Sequence, residues 1–196
     1  MGLKLVSLNN THKNSPPWDT GHPQSEIKQL ADSGEITGTV LDVRCGTGEN
    51  ALYLAQKGFR VTGIDSEPTV IAKAMLEAAA RNLKVPFFAF DALHLGCLGM
   101  VFDTVIDTGL FHVYSDIEKK IFVNSIAQTL KNGGQYHMLC ISELEKGSFG
   151  PGGVTQDEIR SLFREGWKIR SIKNARLETN LEKGWCSAWL ASIKRT

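Results

Sequence analysis

The stretch VLDVRCGTGENALYLAQKGFRVTGID, from Val40 to Asp65, constrains the fold more than any other part of the chain. Its opening run of apolar residues is too short for a helix and suits a strand buried on both faces. Gly46 and Gly48 follow at once, and glycine there lets backbone N–H groups approach a ligand closely. NALYLAQKG then reads as a short helix stopped by Gly58, and RVTGID as a second strand. Strand, glycine turn, helix and strand form the opening unit of a parallel sheet, in which ligands collect at the C-terminal strand ends. Two aspartates mark that edge: Asp42 just before the turn and Asp65 closing the second strand. An arginine, Arg44, occupies the tightest part of the turn.

The alternation continues along the chain. SEPTVIAKAMLEAAARN is expected to be a helix capped by Ser66, with Pro68 in its first turn and Asn82 closing it. VPFFAF and VFDTVIDT read as strands, DIEKKIFVNSIAQTLKNGG as a helix ended by Gly133 and Gly134, and QYHMLCIS as a further strand. Beyond a glycine-rich loop, TQDEIRSLFREG is a helix with Thr155 and Glu158 spaced as a capping box. WKIRSIKNARLE and WCSAWLASIKR have only TNLEKG between them, which suits an antiparallel pair. The expected fold class is α/β: a doubly wound, mostly parallel seven-stranded sheet with helices on both faces and an antiparallel C-terminal strand pair. Residues 36–196 form its body, and residues 1–35 an arm and helix covering the ligand cleft, within one structural domain.

Charge and cysteine usage narrow the function. The formal net charge is +1, so no global field draws nucleic acid or acidic lipid to the chain. Cys45, Cys97, Cys140 and Cys186 lie far apart without a C-x-x-C, which points to buried free thiols. His12, His22 and His94 show no metal-ligand spacing, so no metal site is expected, and His137 within a strand reads as structural. No apolar run approaches the roughly 20 residues of a membrane span, and the N-terminus has no secretory pattern. A cytoplasmic protein, monomeric or weakly dimeric, is the expectation.

The strand ends also carry chemistry. Asp65 is placed to accept from a ribose diol, and Asp91, after FFAF, from an exocyclic amine. GTGENA also matches the G-x-G-x-x-A dinucleotide fingerprint, with Asp65 17 residues past Gly48. A pyrophosphate would be repelled by Asp42, however, and a buried carboxylate must find a donor. A cofactor with an ammonium at one end and adenosine at the other suits the arrangement better.

In this order the segments resemble the motifs of class I S-adenosylmethionine-dependent methyltransferases. The likeness rests on VLDVRCGTGENALYLA, VTGIDSEP, FDALHL, FDTVIDTGLFHVY and TLKNGGQYHML, and spans about Ile36 to Leu190. It implies a Rossmann-like body and S-adenosyl-L-methionine as cofactor. Asp42 and the backbone of Arg44, Cys45, Gly46 and Gly48 would surround the methionine end, and Asp107, in the loop after the fourth strand, is a further cofactor-binding candidate. Asp65, beside Ser66, would bind the ribose, and Asp91 with the Ala92 backbone the adenine. Arg44 departs from the D-x-G-x-G-x-G pattern, where glycine is usual. Its side chain either points away and leaves binding intact, or pairs with Asp42 or Asp65 and weakens it.

The acceptor end is less defined. SPPWDTGHP resembles the P-W-D/E-x-G lead of a subgroup that includes thiopurine, thiol, halide and small-heterocycle or quinone enzymes, which implies that Trp18 serves the cofactor pocket and its lid. DTGLFHVYSD presents Thr108, Phe111, His112 and Tyr114 to an acceptor, with His112 as candidate general base. Phe149, in the glycine-rich loop, is a further acceptor contact, and RLETNLEKGW a contributor at the rim. The chain lacks the Asn-Pro-Pro-Tyr or Asp-Pro-Pro-Tyr segment of enzymes that methylate base amines. The expectation is methyl transfer to O, S or N of a small, largely apolar molecule, with no nucleic acid partner. Its rivals are a protein or RNA methyltransferase, a nicotinamide oxidoreductase, and a fold-retaining protein whose cofactor binding Arg44 weakens.

Overall fold

The computed structural model describes residues 16–146 and 152–196. Seven strands form one sheet: β1 (Thr39–Val43), β2 (Arg60–Asp65), β3 (Phe87–Ala89), β4 (Phe102–Thr108), β5 (Leu130–Ile141), β6 (Trp167–Glu178) and β7 (Trp185–Arg195). Their order is β3-β2-β1-β4-β5-β7-β6. The first five run parallel, while β7 lies antiparallel between β5 and β6. Helices α1 (Ser25–Asp32), α2 (Glu49–Gln56), α3 (Pro68–Ala80), α4 (Asp116–Thr129) and α5 (Gln156–Leu162) flank the sheet. The expected fold class is the observed one.

The two-residue period of the strands divides the core. Leu41 and Val43 of β1 join Phe122 and Ile126 of α4, Tyr136 and Phe163 on one side. Val40 joins Ile27, Leu52, Ile71 and Phe87 on the other. Burying each such side chain is worth about 1.5–3 kcal/mol, so covering both faces is the main stabilising term.

Several local expectations are corrected. Ser66 does not cap α3; the Glu67 side chain accepts from Thr69 N–H, which leaves Ser66 in a cavity wall. Helix α4 stops at Thr129 rather than at the glycines, because Leu130 is already extended and pairs with Phe102. The register then shifts before Gln135 pairs with Thr104, so residues 131–134 bulge out and Gly133 adopts φ +81°. Thr155 caps α5 by accepting from Glu158 N–H, but the Glu158 carboxylate turns to Lys119 and leaves the box open. A closed box instead starts α4, between Ser115 and Glu118. Cys97 is exposed, whereas the other three thiols are buried. His137 is buried between Ser192 Oγ and the Glu35 carbonyl, a structural position.

Candidate active site

Strand register builds the site. Val43 lies beside Ile64 on one side and Asp107 on the other, so β1, β2 and β4 end together. A cavity of about 660 Å³ opens at that edge, a size typical of small-molecule sites. Its floor is the turn after β1. Gly46 N–H donates to Asp65 Oδ2 at 3.1 Å, and Glu67 N–H to Asp65 Oδ1 at 3.0 Å. Asp65 therefore ties the β1 and β2 loops together, and each oxygen keeps a further lone pair.

Glycine is required at two positions of this turn. Gly46 has φ +57°, and a Cβ there would meet nothing within 4 Å, so its side faces open space. Gly48 has φ +89°, and a Cβ would come within 2.9 Å of the Phe87 ring and 3.2 Å of Ala74. The first lets a ligand approach; the second lets α2 pack against β3 and α3. Arg44 occupies a third left-handed position, at φ +56°, with a side-chain cost of about 1 kcal/mol or more.

Arg44 pairs with neither Asp42 nor Asp65. Its Nη1 donates to the Gly109 carbonyl at 2.6 Å, and its guanidinium lies 5.4 Å from the centre of the Trp18 ring. Trp18 is 59% exposed and stands on an arm, residues 16–24, that forms one wall of the cavity. The arm is held at both ends of the opening. Thr47 Oγ1 donates to Asp19, Gln24 N–H to Asn50 Oδ1, and Asn180 N–H to the Pro17 carbonyl.

The wall after β4 holds Thr108, Gly109 and His112. Ile141 N–H donates to His112 Nδ1 at 3.4 Å. Burial, then the positive charges of Arg44 and Lys119, lower the pKa of the ring to about 4. His112 is thus neutral and a weaker base than an imidazole titrating near neutral pH. Asp107 is buried beneath the same loop, where it accepts from Leu110 N–H, Phe111 N–H and Tyr136 O–H. Burial raises its pKa to about 6 despite those donors.

Not every expected residue reaches the cavity. Asp42 is fully buried below the turn, where among the described residues the Ala51 N–H is its nearest donor and no well-formed hydrogen bond reaches either oxygen. Desolvation first, then Asp107, pushes its carboxyl well above the usual range. Asp107 likewise lies behind the wall. Asp91 turns back to cap the 3-10 segment Ala92–Leu98, accepting from Leu93 N–H, with His94 Nδ1 at 3.1 Å. Neither Asp91 nor the buried Ala92 lines the cavity. Phe111 faces the core, 6.5 Å from Phe122 and 6.1 Å from Phe163, and Tyr114 packs 5.2 Å from Phe122. Phe149 lies outside the described residues. Trp18, Arg44, Cys45, Gly46, Asp65, Ser66, Thr108 and His112 share the one cavity, with Gly48 supporting its floor.

Sequence reasoning missed Asn50. It is buried near the start of α2, where Nδ2 donates to Thr108 and Oδ1 accepts from Gln24 N–H. A lone amide in the apolar run NALYLA was its signal. From the segment RLETNLEKGW, expected at the rim, Leu177, Thr179 and Leu181 line the wall, brought there by β6 and the turn after it. Among the described residues no cluster of side chains is arranged to hold a metal ion.

An adenosyl sulfonium fits this donor set. Asp65 retains lone pairs for hydroxyls, the space beside Gly46 is open, and the carboxyl-bearing Asp19, Glu49, Asp65 and Glu67 line the cavity that would take the sulfonium. When bound, S-adenosylmethionine supplies a methyl group on a sulfonium.

Comparison with known proteins agrees. Residues 40–134 match the family described as "Methyltransferase domain". The chain is 35% identical over 171 residues to the 2-heptyl-1-hydroxyquinolin-4(1H)-one methyltransferase of Mycobacteroides abscessus, covering 84% of this chain and 74% of that one. It is 35% identical over 113 residues to the demethylmenaquinone methyltransferase of Thermus thermophilus, covering 57% and 50%. A structure solved in work on the conversion of a disulfide bond into a thioacetal group during echinomycin biosynthesis superimposes with a TM-score of 0.85. It is 35% identical, with 94% of this chain and 87% of that one covered. The chain belongs to the class I S-adenosylmethionine-dependent methyltransferases.

Proposed function

We propose that the chain moves the methyl group of S-adenosylmethionine to an oxygen or sulfur atom, with nitrogen as the alternative, of a small, largely apolar molecule by direct displacement. The observation that carries this is the single cavity joining Asp65 and Gly46 at one end to Thr108 and His112 at the other, under the arm bearing Trp18. Asp65 and the Gly46 turn would hold the adenosyl end. Val113, Ile141, Leu177 and Leu181 make the acceptor side apolar. A covered cavity of this size suits a small acceptor better than a protein or RNA segment. The relative from Mycobacteroides abscessus is named for a hydroxyquinolone, which supports a heteroaromatic acceptor. So does the likeness of PWDTG to the P-W-D/E-x-G lead of the thiopurine, thiol, halide and small-heterocycle or quinone subgroup. Direct displacement asks the protein chiefly to align the nucleophile and exclude water, and the arm and loop after β4 supply that enclosure.

Calorimetric titration with S-adenosylmethionine, followed by turnover of a panel of phenols, quinols, thiols and hydroxylated heterocycles, tests the reading. Binding followed by methylation of at least one class supports it; absence of binding refutes it. A second reading is favoured by Arg44 alone: a protein that keeps the fold but binds the cofactor weakly, because a guanidinium takes up the Gly109 carbonyl.

A further inference from the structure

Arg44, through its bond to the Gly109 carbonyl, joins Thr108 and His112 of the loop after β4 in the cavity lining. Arg44 uses one N–H on the Gly109 carbonyl and stacks near Trp18; no carboxylate lies within 4 Å of it among the described residues. Four of its five N–H donors are left over. Thr108 Oγ1 accepts from Asn50 Nδ2 at 3.1 Å, so its own O–H is free to donate elsewhere. His112 Nδ1 accepts from the Ile141 backbone, which puts the proton of the neutral ring on Nε2. No described residue bonds to Nε2, and it is not among the buried unpartnered atoms. Among the described residues, Arg44, Thr108 and His112 therefore present N–H and O–H groups to the cavity and no base.

We propose that Arg44, Thr108 and His112 hold an anionic oxygen or sulfur, and that the acceptor is a small molecule with an acidic hydroxyl or thiol that reacts in its ionised form. His112 donates a hydrogen bond from Nε2 instead of removing a proton. The inference rests on the methyl-transfer reading above and deepens it. The acceptor's proton has gone to solvent before reaction. The bond formed joins the anionic O or S to the methyl carbon, and the bond broken is that carbon's bond to the sulfonium, whose electron pair remains on sulfur. Arg44 is then a specificity residue, which accounts for an arginine held at a left-handed position that favours glycine.

The test uses protein loaded with S-adenosylhomocysteine and 4-nitrophenol, whose ionised form absorbs in the visible. The pKa of the bound phenol is expected to fall by about one unit or more relative to water, as beside a cation. Arg44→Gln is expected to abolish that shift while S-adenosylhomocysteine affinity changes by less than about threefold. Arg44→Lys is expected to keep part of it. His112→Gln, whose amide N–H reaches as far as Nε2–H, retains most of the shift, whereas His112→Phe reduces it. A wild-type protein that binds the neutral phenol as well as the anion, or binds neither, overturns the proposal. So does an Arg44→Gln protein that keeps the shift but loses S-adenosylhomocysteine affinity tenfold, since Arg44 would then serve the cofactor's carboxylate. Failure to take up S-adenosylhomocysteine removes both readings; uptake without a shift removes only this one.

Discussion

Arg44 donates a hydrogen bond to the Gly109 carbonyl across 65 residues of sequence, closing the turn after β1 onto the loop after β4. Both residues have positive φ, +56° and +96°. Both residues line the cavity.

Arg44→Gly removes a left-handed side-chain cost of about 1 kcal/mol and a charge-assisted hydrogen bond of about 1.5–3 kcal/mol. The second effect is the larger, even for a half-buried group. The melting temperature is therefore expected to fall by about 2–4 °C, not rise. Differential scanning calorimetry measures it. A tenfold gain in S-adenosylmethionine affinity in the same variant would favour the second, weakened-binding reading.

The two glycines of the turn separate folding from binding. Gly48→Ala forces a Cβ to within 2.9 Å of the Phe87 ring at φ +89° and is expected to destabilise by about 1–3 kcal/mol. Gly46→Ala meets nothing in the protein and carries only the backbone cost, about 1 kcal/mol, yet its methyl enters the ligand's space. Denaturant melts should rank Gly48→Ala as the less stable, while calorimetry shows the cofactor penalty per unit of stability lost to be greater for Gly46→Ala.

Trp18→Ala is expected to leave stability nearly unchanged, since the ring is 59% exposed and an exposed cation–π contact is worth about 0.5–1 kcal/mol. Acceptor KM should rise severalfold more than kcat falls, because the lost surface covers the cavity and touches no buried core. Steady-state kinetics with any accepted substrate checks this split.

What could be read from the chain follows the range of the forces involved. The succession of strands and helices along the chain rests on local alternation and turn chemistry, and Asp65 and Gly46 emerge from it because each lies at or just past a strand end. Ser66 and Glu67 are adjacent candidate caps, and only the geometry of the β2 exit selects Glu67. The start of β5 at Leu130 depends on pairing with Phe102, a partner far away in sequence. The position of Asp91 after β3 is legible in the sequence, whereas its bond to Leu93 N–H depends on the local turn into the 3-10 segment. Phe111 follows the aromatic cluster of Phe122 and Phe163 inward, and the destination of Arg44 is a carbonyl that only the folded sheet delivers.

His112 carries a pH signature. Its native pKa is lowered from 6.5 to about 4 by burial and by Arg44 and Lys119. The unfolded chain thus takes up a proton that the native protein refuses. The resulting stability is present above pH 6.5 and is lost as pH falls through about 4, at up to about 3 kcal/mol. Chemical denaturation between pH 7 and 4 should show wild type losing more stability than His112→Gln over that window. Asp107, with its pKa raised to about 6, contributes the opposite slope in both proteins, so the difference isolates His112.

The most direct test of the account is calorimetric titration of the wild-type chain and of Asp65→Ala with S-adenosylmethionine, with each protein's melting curve confirming that it is folded. Asp65 braces the Gly46 turn and offers its remaining lone pairs to the cavity. The account predicts one saturable site in wild type and at least about a tenfold loss of affinity, 1.4 kcal/mol, in the variant. No binding to wild type, or equal binding to a folded Asp65→Ala protein, would contradict it.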